Sequence, residues 1–181
     1  ETMTDDLDGE PRREAPAPAS VLDEAYARER LAELAGQTQQ VPPAFSAIKV
    51  DGVRAYSEAR KGHDVVLDAR PIEVRRADLL ALGTDERGPW WDVDFTVSKG
   101  TYIRALARDL GRLCGSAAYL SALSRTSSGK VGLDACLSLD ELAQACSSLT
   151  SGVNVWQNDI VGAVLGKSIL HVWVKGKCFI A

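Results

Sequence analysis

The stretch from Trp90 to Gly115 constrains this chain more than any other. Trp91, Val93, Phe95 and Val97 alternate with Asp92, Asp94 and Thr96. A period of two reads as a strand with one buried face. Ile103, Leu106, Ala107, Leu110 and Leu113 then follow helical spacing, with Gly115 as the stop. The strand therefore hands over to the helix through Ser98-Lys99-Gly100-Thr101-Tyr102-Ile103-Arg104. That corner projects a lysine, a tyrosine and an arginine from the end of a rigid element, where binding and catalytic side chains are usually held.

The rest of the chain mixes helix and strand signals without regular βαβ alternation, which predicts an α+β fold. Residues 1–20 are polar and carry Pro11, Pro16 and Pro18, so they read as an extended loop. Ser20 is a candidate cap for a helix over 21–34, with Leu22, Ala25, Leu31 and Leu34 in partial register and Gly36 at its end. Gln37–Pro43 is a connector, because proline excludes helix and restrains its predecessor. Short strands are expected at 48–50 and at Val53, around Asp51-Gly52, with a short helix over 55–61. Residues 65–67 and 72–82 read as strands, 117–123 as a helical turn and 130–133 as a strand. Ser138, with Glu141 three residues on, is the capping box of a helix through Ala145.

A chain of 181 residues with 45% hydrophobic and 25% charged residues has the makings of one ordinary packed core. No apolar run approaches the roughly 18 residues that a bilayer span requires, and no stretch reads as a secretory signal. Cys114, Cys136, Cys146 and Cys178 show no C-x-x-C spacing, and only His63 and His171 could assist them. Reduced thiols in a cytoplasmic protein, with no zinc site, are the simplest reading. The net charge of −4 argues against nucleic acid until its distribution is considered. Residues 1–34 hold ten acids and four bases, whereas residues 99–130 hold six bases and one acid. A local basic patch is what attracts phosphate.

Four segments, in order, resemble one family. These are Thr2-x-Thr4-x-Asp6-x-x-Gly9; then Gln40-Val41-Pro42-Pro43-Ala44-Phe45-Ser46-Ala47-Ile48-Lys49 with Tyr56, Ala59, Arg60 and Gly62; then Ser98–Arg104 continuing as Ala-Leu-Ala-Arg-Asp-Leu-Gly; and finally Leu123-Ser124-Arg125-Thr126 with Gly129. They resemble the bacterial tRNA pseudouridine synthases of the TruB type, which isomerise uridine 55 in the T-loop of tRNA. Ser124 stands where that family has an arginine. The resemblance implies a partial pseudouridine synthase fold: a mixed, mainly antiparallel sheet with flanking helices. It covers residues 1–148. The remaining residues, 149–181, form an atypical tail without family resemblance, and a changed reading frame would explain it. All 14 arginines lie at or before Arg125, while both asparagines, Asn154 and Asn158, lie in the tail. Within it, 169–174 and 178–180 flank Lys175-Gly176-Lys177 as a candidate hairpin.

The resemblance also implies roles. Pseudouridine formation breaks a glycosidic C–N bond, turns the base and makes a C–C bond. The uridine must first leave its stack, at a cost of a few kcal/mol. A carboxylate near the sugar must stay ionised, and a cation within about 4–6 Å lowers an aspartate pKa by roughly 1–3 units. Arg104 matches the arginine that pairs with the family's catalytic aspartate, Tyr102 an active-site tyrosine and Lys99 the lysine before it. Leu123 lines the pocket. Lys49, Tyr56 and Arg60 fall in the substrate-gripping insertion, where Arg54 and Lys61 could also meet phosphate. Tyr56 reads equally as core or as a nucleotide platform. The catalytic aspartate itself belongs to a G-x-L-D motif upstream of the first matching segment, as does the family's base-stacking tyrosine. The sequence starts at the first matching segment, so that motif is missing and the chain is expected to be inactive alone; its start at Glu1 rather than methionine reads as a processed, trimmed or partial chain. Asp6, flanked by Asp5 and Asp8, reads as a solvated turn, and Asp109 as a helix-surface ion-pair partner. Arg108 and Arg112 continue Arg104 as a solvated stripe, with phosphate contact as the alternative.

No cofactor and no metal are implied. The implied partner is tRNA, with a monomeric full-length protein. A non-catalytic RNA-binding module and a protein-interaction domain are the rival readings. Without its upstream part, the chain would expose an apolar face and strand edges, which favours aggregation.

Overall fold

The computed structural model describes residues 1–50, 53–61, 65, 67–150 and 172–180. The first helix, α1, runs over Glu24–Ala35. Asp23 rather than Ser20 caps it, its carboxylate accepting from the Tyr26 N–H at 2.8 Å. Ser20 instead lies in a 3₁₀ turn, Ala19–Leu22. The buried face of α1 is Ala27, Leu31 and Leu34, while Leu22 is exposed.

Short elements follow: β1 (Gln39–Gln40), β2 (Lys49–Val50), β3 (Val53–Arg54), α2 (Ala55–Ala59) and β4 (Arg70–Pro71). β1 pairs with β4 and β2 with β3, both antiparallel. β2 and β3 flank the expected turn, but residues 51 and 52 lie outside the described residues, as do 62–64 and the strand expectation at Val66. Val65 and Leu67 are not in a strand.

The main sheet holds β5 (Val74–Asp85), β6 (Gly88–Val97), β7 (Ala118–Ser128), β8 (Val131–Gly132) and β9 (Val172–Ile180), in the order β5-β6-β9-β7-β8. All its pairings are antiparallel. Between β6 and β7 the chain forms α3, Ile103–Leu113. The alternation at 91–97 holds: Trp91, Val93, Phe95 and Val97 are buried, against Ile103, Leu106 and Leu110 of α3 and the inner face of α1 in one core. The Trp91 indole N–H donates to the Val21 carbonyl at 2.7 Å.

Three expectations are corrected. Residues 117–123 open a strand, not a helical turn: Ala118 and Leu120 are buried and alternate with half-buried Tyr119 and Ser121. Good helix formers are overridden there because α3 has just ended at Gly115, in the left-handed region (φ 70°), and the chain returns beneath it. The strand expected over 130–133 forms at Val131–Gly132, but Leu133 opens a 3₁₀ turn, Leu133–Ala135. The candidate hairpin around Lys175-Gly176-Lys177 is one continuous strand, β9. Gly176 stands opposite Val93 on one side and Leu123 on the other, so a turn there would forfeit ladder hydrogen bonds on both sides. Lys175 and Lys177 stand in register with Asp94 and Asp92.

The capping box forms as expected. Glu141 accepts from the Ser138 N–H at 2.7 Å, and Ser138 Oγ accepts from the Glu141 N–H at 3.2 Å. The helix it starts, α4, extends to Thr150 (Leu139–Thr150).

Candidate functional site

The corner between β6 and α3 turns on Gly100, whose φ of 88° lies in the left-handed region that favours glycine. Ser98 Oγ and Thr101 Oγ1 lie 3.2 Å apart across it. The turn delivers Arg104 to the first turn of α3, where its guanidinium meets three acceptors. Nη1 donates to the Thr4 carbonyl at 2.9 Å and to Asp6 Oδ2 at 3.0 Å. Nη2 donates to the Phe45 carbonyl at 3.1 Å. Among the described residues its Nε–H has no acceptor. A charged fork held by three oxygens is fixed in direction as well as place.

The spacing of Thr2, Thr4, Asp6 and Gly9 now has a physical reason. Thr2 Oγ1 donates to the Asp6 carbonyl at 2.6 Å, and Thr4 Oγ1 donates to Asp6 Oδ1. The Asp8 N–H donates to the same Oδ1 at 3.2 Å. Gly9 lies against Thr4 so closely that a Cβ would stand 2.3 Å from Thr4 Oγ1. The four residues tie one knot, and the knot aims the second carboxylate oxygen of Asp6 at Arg104. Asp5 and Leu7 anchor it to the sheet: the Leu120 N–H donates to the Asp5 carbonyl at 3.1 Å and the Leu7 N–H to the Leu120 carbonyl at 2.9 Å. Asp6 is therefore no solvated turn. It was hidden in the sequence by its acidic neighbours, and the Thr-x-Thr-x-Asp-x-x-Gly spacing was the signal that could have found it.

Arg104 and Asp6 are each 26% exposed. They share a wall of a cavity of about 330 Å³, whose other walls include Leu7, Leu120 and Leu123. Leu123, half exposed, thus lies in the same cavity as Arg104. Tyr102 is half-buried at the N-cap of α3, and Lys99 is exposed on the turn before it. Lys49 is in β2. Tyr56 is half-buried in α2, with the exposed Arg60 guanidinium 5.5 Å from its ring centroid. The structure brings Arg104 and Leu123 to one cavity, while Tyr56 lies in α2 and Arg60 just after it; upstream of them the Phe45 carbonyl meets Arg104.

The solvated stripe does not exist as expected. Arg108 is buried and donates to Asp5 at 2.9 Å and to the Val41 carbonyl at 2.7 Å. Asp109, at 3.0 Å from Arg108, is an ion-pair partner as expected. Arg112 is exposed, but its Nε and Nη2 both donate to Glu1, at 2.9 and 3.1 Å. Burial removes Arg108 from any phosphate. Burial also raises the Asp5 carboxyl above its usual range, more than Arg108 lowers it. At Glu1 burial pushes the same way, but Arg112 and Arg13 outweigh it and leave the carboxyl below its usual range.

Among the described residues no cluster of histidine, cysteine, aspartate and glutamate could hold a metal ion, and no helix is long and apolar enough to cross a membrane. Cys114 is buried and its thiol is pushed up to about 11 by burial, so it is a packing residue rather than a nucleophile.

The profile of the TruB family pseudouridylate synthases (N terminal domain) matches residues 1–103. A tRNA pseudouridine synthase B of Arthrobacter sp. (strain FB24) is 47% identical over 145 residues, covering 79% of this chain and 47% of that protein. One of Corynebacterium aurimucosum is 50% identical over 143 residues, covering 78% and 47%. One of Mycobacterium tuberculosis (strain H37Rv) is 43% identical over 185 residues, covering 97% and 61%. The chain thus spans about half the length of the first of these relatives. With more than half of its residues matched by that profile, the chain belongs to the TruB family of pseudouridylate synthases.

Proposed function

We propose that this chain supplies the arginine side and the gripping arm of a tRNA uridine-55 pseudouridine synthase, an isomerase without cofactor that works on the T-loop in the cytoplasm. The observation that carries this reading is Arg104, held by Thr4, Asp6 and Phe45 on the wall of an open cavity, with no acceptor for its Nε–H among the described residues. In this reading residues 1–148 carry the site, and 149–181 have no role in the chemistry.

The uridine leaves its stack and enters beside Leu123. Aromatic stacking is worth about 1–3 kcal/mol per base and offsets much of that cost; Tyr102, at the N-cap of α3, is the ring that the corner supplies. Arg104 keeps a carboxylate at the sugar ionised, and its free donor is the one that receives it. Asp6 is not that carboxylate: Thr4, the Asp8 N–H and Arg104 already hold both its oxygens. In this reading the reacting acid is the aspartate of the family's G-x-L-D motif, not Asp6. Lys99, Lys49, Tyr56 and Arg60 face backbone phosphates and the folded T-arm. The complete enzyme works as a monomer on tRNA.

The test is a fusion. The part of the Mycobacterium tuberculosis relative that precedes the matched region is joined to Glu1, and uridine-to-pseudouridine conversion is followed on a T-arm stem-loop. The fusion converts the RNA and the chain alone does not. Conversion by the chain alone overturns its dependence on an outside acid. A fusion that binds the RNA with steep salt dependence but never converts it overturns the catalytic reading in favour of an RNA-binding module.

A further inference from the structure

The corner that carries Tyr102 and Arg104 is held from outside by one buried side chain. Gln40 is 2% exposed, in a chain where glutamine is ordinarily a surface residue. Its Oε1 accepts from the Tyr102 N–H at 2.9 Å, and its Nε2 donates to the Tyr102 carbonyl at 3.2 Å. The two bonds fix the orientation of the amide, because exchanging its oxygen and nitrogen would break both. The side chain thus pairs with one residue's backbone as a neighbouring strand would.

The local sequence explains why a side chain does this work. Pro42 and Pro43 follow close behind and have no N–H to offer. Tyr102 is the N-cap of α3, in extended conformation (φ −95°, ψ 111°), and its own side chain makes no capping bond. Its carbonyl also accepts the first hydrogen bond of the helix, from the Leu106 N–H at 3.1 Å. Gln40 therefore grips the residue from which α3 starts. The same segment touches α3 twice more, through the Val41 carbonyl on Arg108 and the Phe45 carbonyl on Arg104.

We infer that Gln40 is a positioning residue: its amide, by clamping both backbone groups of Tyr102, sets the direction in which Arg104 presents its guanidinium. The catalytic consequence rests on the reading given under Proposed function, and the clamp itself does not. Loss of the amide frees the start of α3 to rotate, and the guanidinium two residues on moves with it. An error of about 1 Å in such a group is enough to cost about a hundredfold in rate.

Three variants test it: Gln40→Ala, Gln40→Glu, and Leu34→Ala as a control from the buried face of α1. Amide hydrogen exchange is measured in the chain itself, normalised to intrinsic rates. Gln40→Ala lowers protection of the Tyr102 amide at least tenfold more than Leu34→Ala does, after both are corrected for their loss of global stability. Gln40→Glu keeps an acceptor for the Tyr102 N–H but sets a carboxylate against the Tyr102 carbonyl at neutral pH. When protonated it can donate again, so its Tyr102 protection recovers as the pH falls. Equal protection in Gln40→Ala and Leu34→Ala, or a pH-independent Gln40→Glu, overturns the clamp. In the active fusion, Gln40→Ala lowers kcat at least tenfold and leaves the KM for the stem-loop within twofold. An unchanged kcat, with the clamp lost by exchange, overturns the positioning role. An inactive wild-type fusion counts against the proposed function alone, because the exchange readout does not depend on it.

Discussion

Helices α1 and α3 both carry arginines paired with acids, and the pairs differ in almost every physical respect. On α1, Arg28 meets Glu24 and Arg30 meets Glu33, each at 2.6 Å and each on the same helix. Arg28 and Glu24 are more than half exposed. On α3, Arg104, Arg108 and Arg112 meet Asp6, Asp5 and Glu1, from the far end of the sequence. The Arg108–Asp5 pair is about nine-tenths buried on both sides. The first set decorates a surface. The second seals the opening segment of the chain onto the helix that carries the candidate catalytic arginine. Spacing on a helix decides which residues share a face, but only the segment laid over that face decides whether the charges meet water or each other.

If that contrast is real, its largest effect is on chemistry. In the active fusion, Arg104→Ala lowers conversion at least about a hundredfold, in the range for removing one preorganised donor group. Arg104→Lys restores little, because one ammonium cannot reach three acceptors spread around a planar fork. Conversion within tenfold of wild type in either variant would break the α3 half of the comparison.

Next comes stability at the buried pair. Asp5→Ala strands Arg108 with one carbonyl and Asp109, and costs about 3–5 kcal/mol, as breaking one side of a buried pair does. Asp5→Ala with Arg108→Met costs less than Asp5→Ala alone, since the Arg108 guanidinium is then no longer left buried without Asp5. Denaturant unfolding measures both, and a double variant less stable than the single would sink the argument.

The pH dependence sharpens the picture within the α3 set. Asp5 has a raised folded pKa, so the folded state binds its proton more readily than the unfolded one. Wild type therefore gains on Asp5→Asn as the pH falls through that raised value toward the ordinary aspartate value of about 3.9. Glu1 has a lowered folded pKa, so its contribution is present above the ordinary glutamate value of about 4.3 and is lost as the pH falls through the lower folded value. Wild type loses its advantage over Glu1→Gln over that window. Slopes of the same sign in the two comparisons would refute the assignment.

The smallest effect belongs to α1. Glu24→Gln removes an exposed i,i+4 pair and costs about 0.3–0.5 kcal/mol, falling further in high salt. A loss of more than about 1.5 kcal/mol would erase the difference between the two helices.

How much of this was legible depended on the range of the interaction. The 91–97 strand, the 103–113 helix and the Ser138–Glu141 capping box could be read because each is fixed by neighbours in sequence. Arg104 was legible through its motif. Arg108 was misread because its partner lies 103 positions away and nothing in a helical stripe announces it. Asp6 was misread because Asp5 and Asp8 gave it the look of a solvated turn, while its hydrogen bonds with Thr2 and Thr4 concern geometry rather than composition. The 117–123 strand was misread because alanine and leucine suit a helix, and only the buried position under α3 turns them into strand residues. β9 was misread because Gly176 resembles a turn until two flanking strands are known.

The place of β9 has a consequence for how this protein comes off the ribosome. β6, α3 and β7 are all complete before β9 is made, yet among the described residues β9 is the strand that lies between β6 and β7. Until then each waits with one edge unpaired, a template for any other extended segment nearby. Closing the gap draws together stretches far apart in the chain, which makes it a slow step. A nascent chain stalled before Val172 would hold its arginine helix over a split sheet, and that state is the one a holding chaperone would be expected to meet.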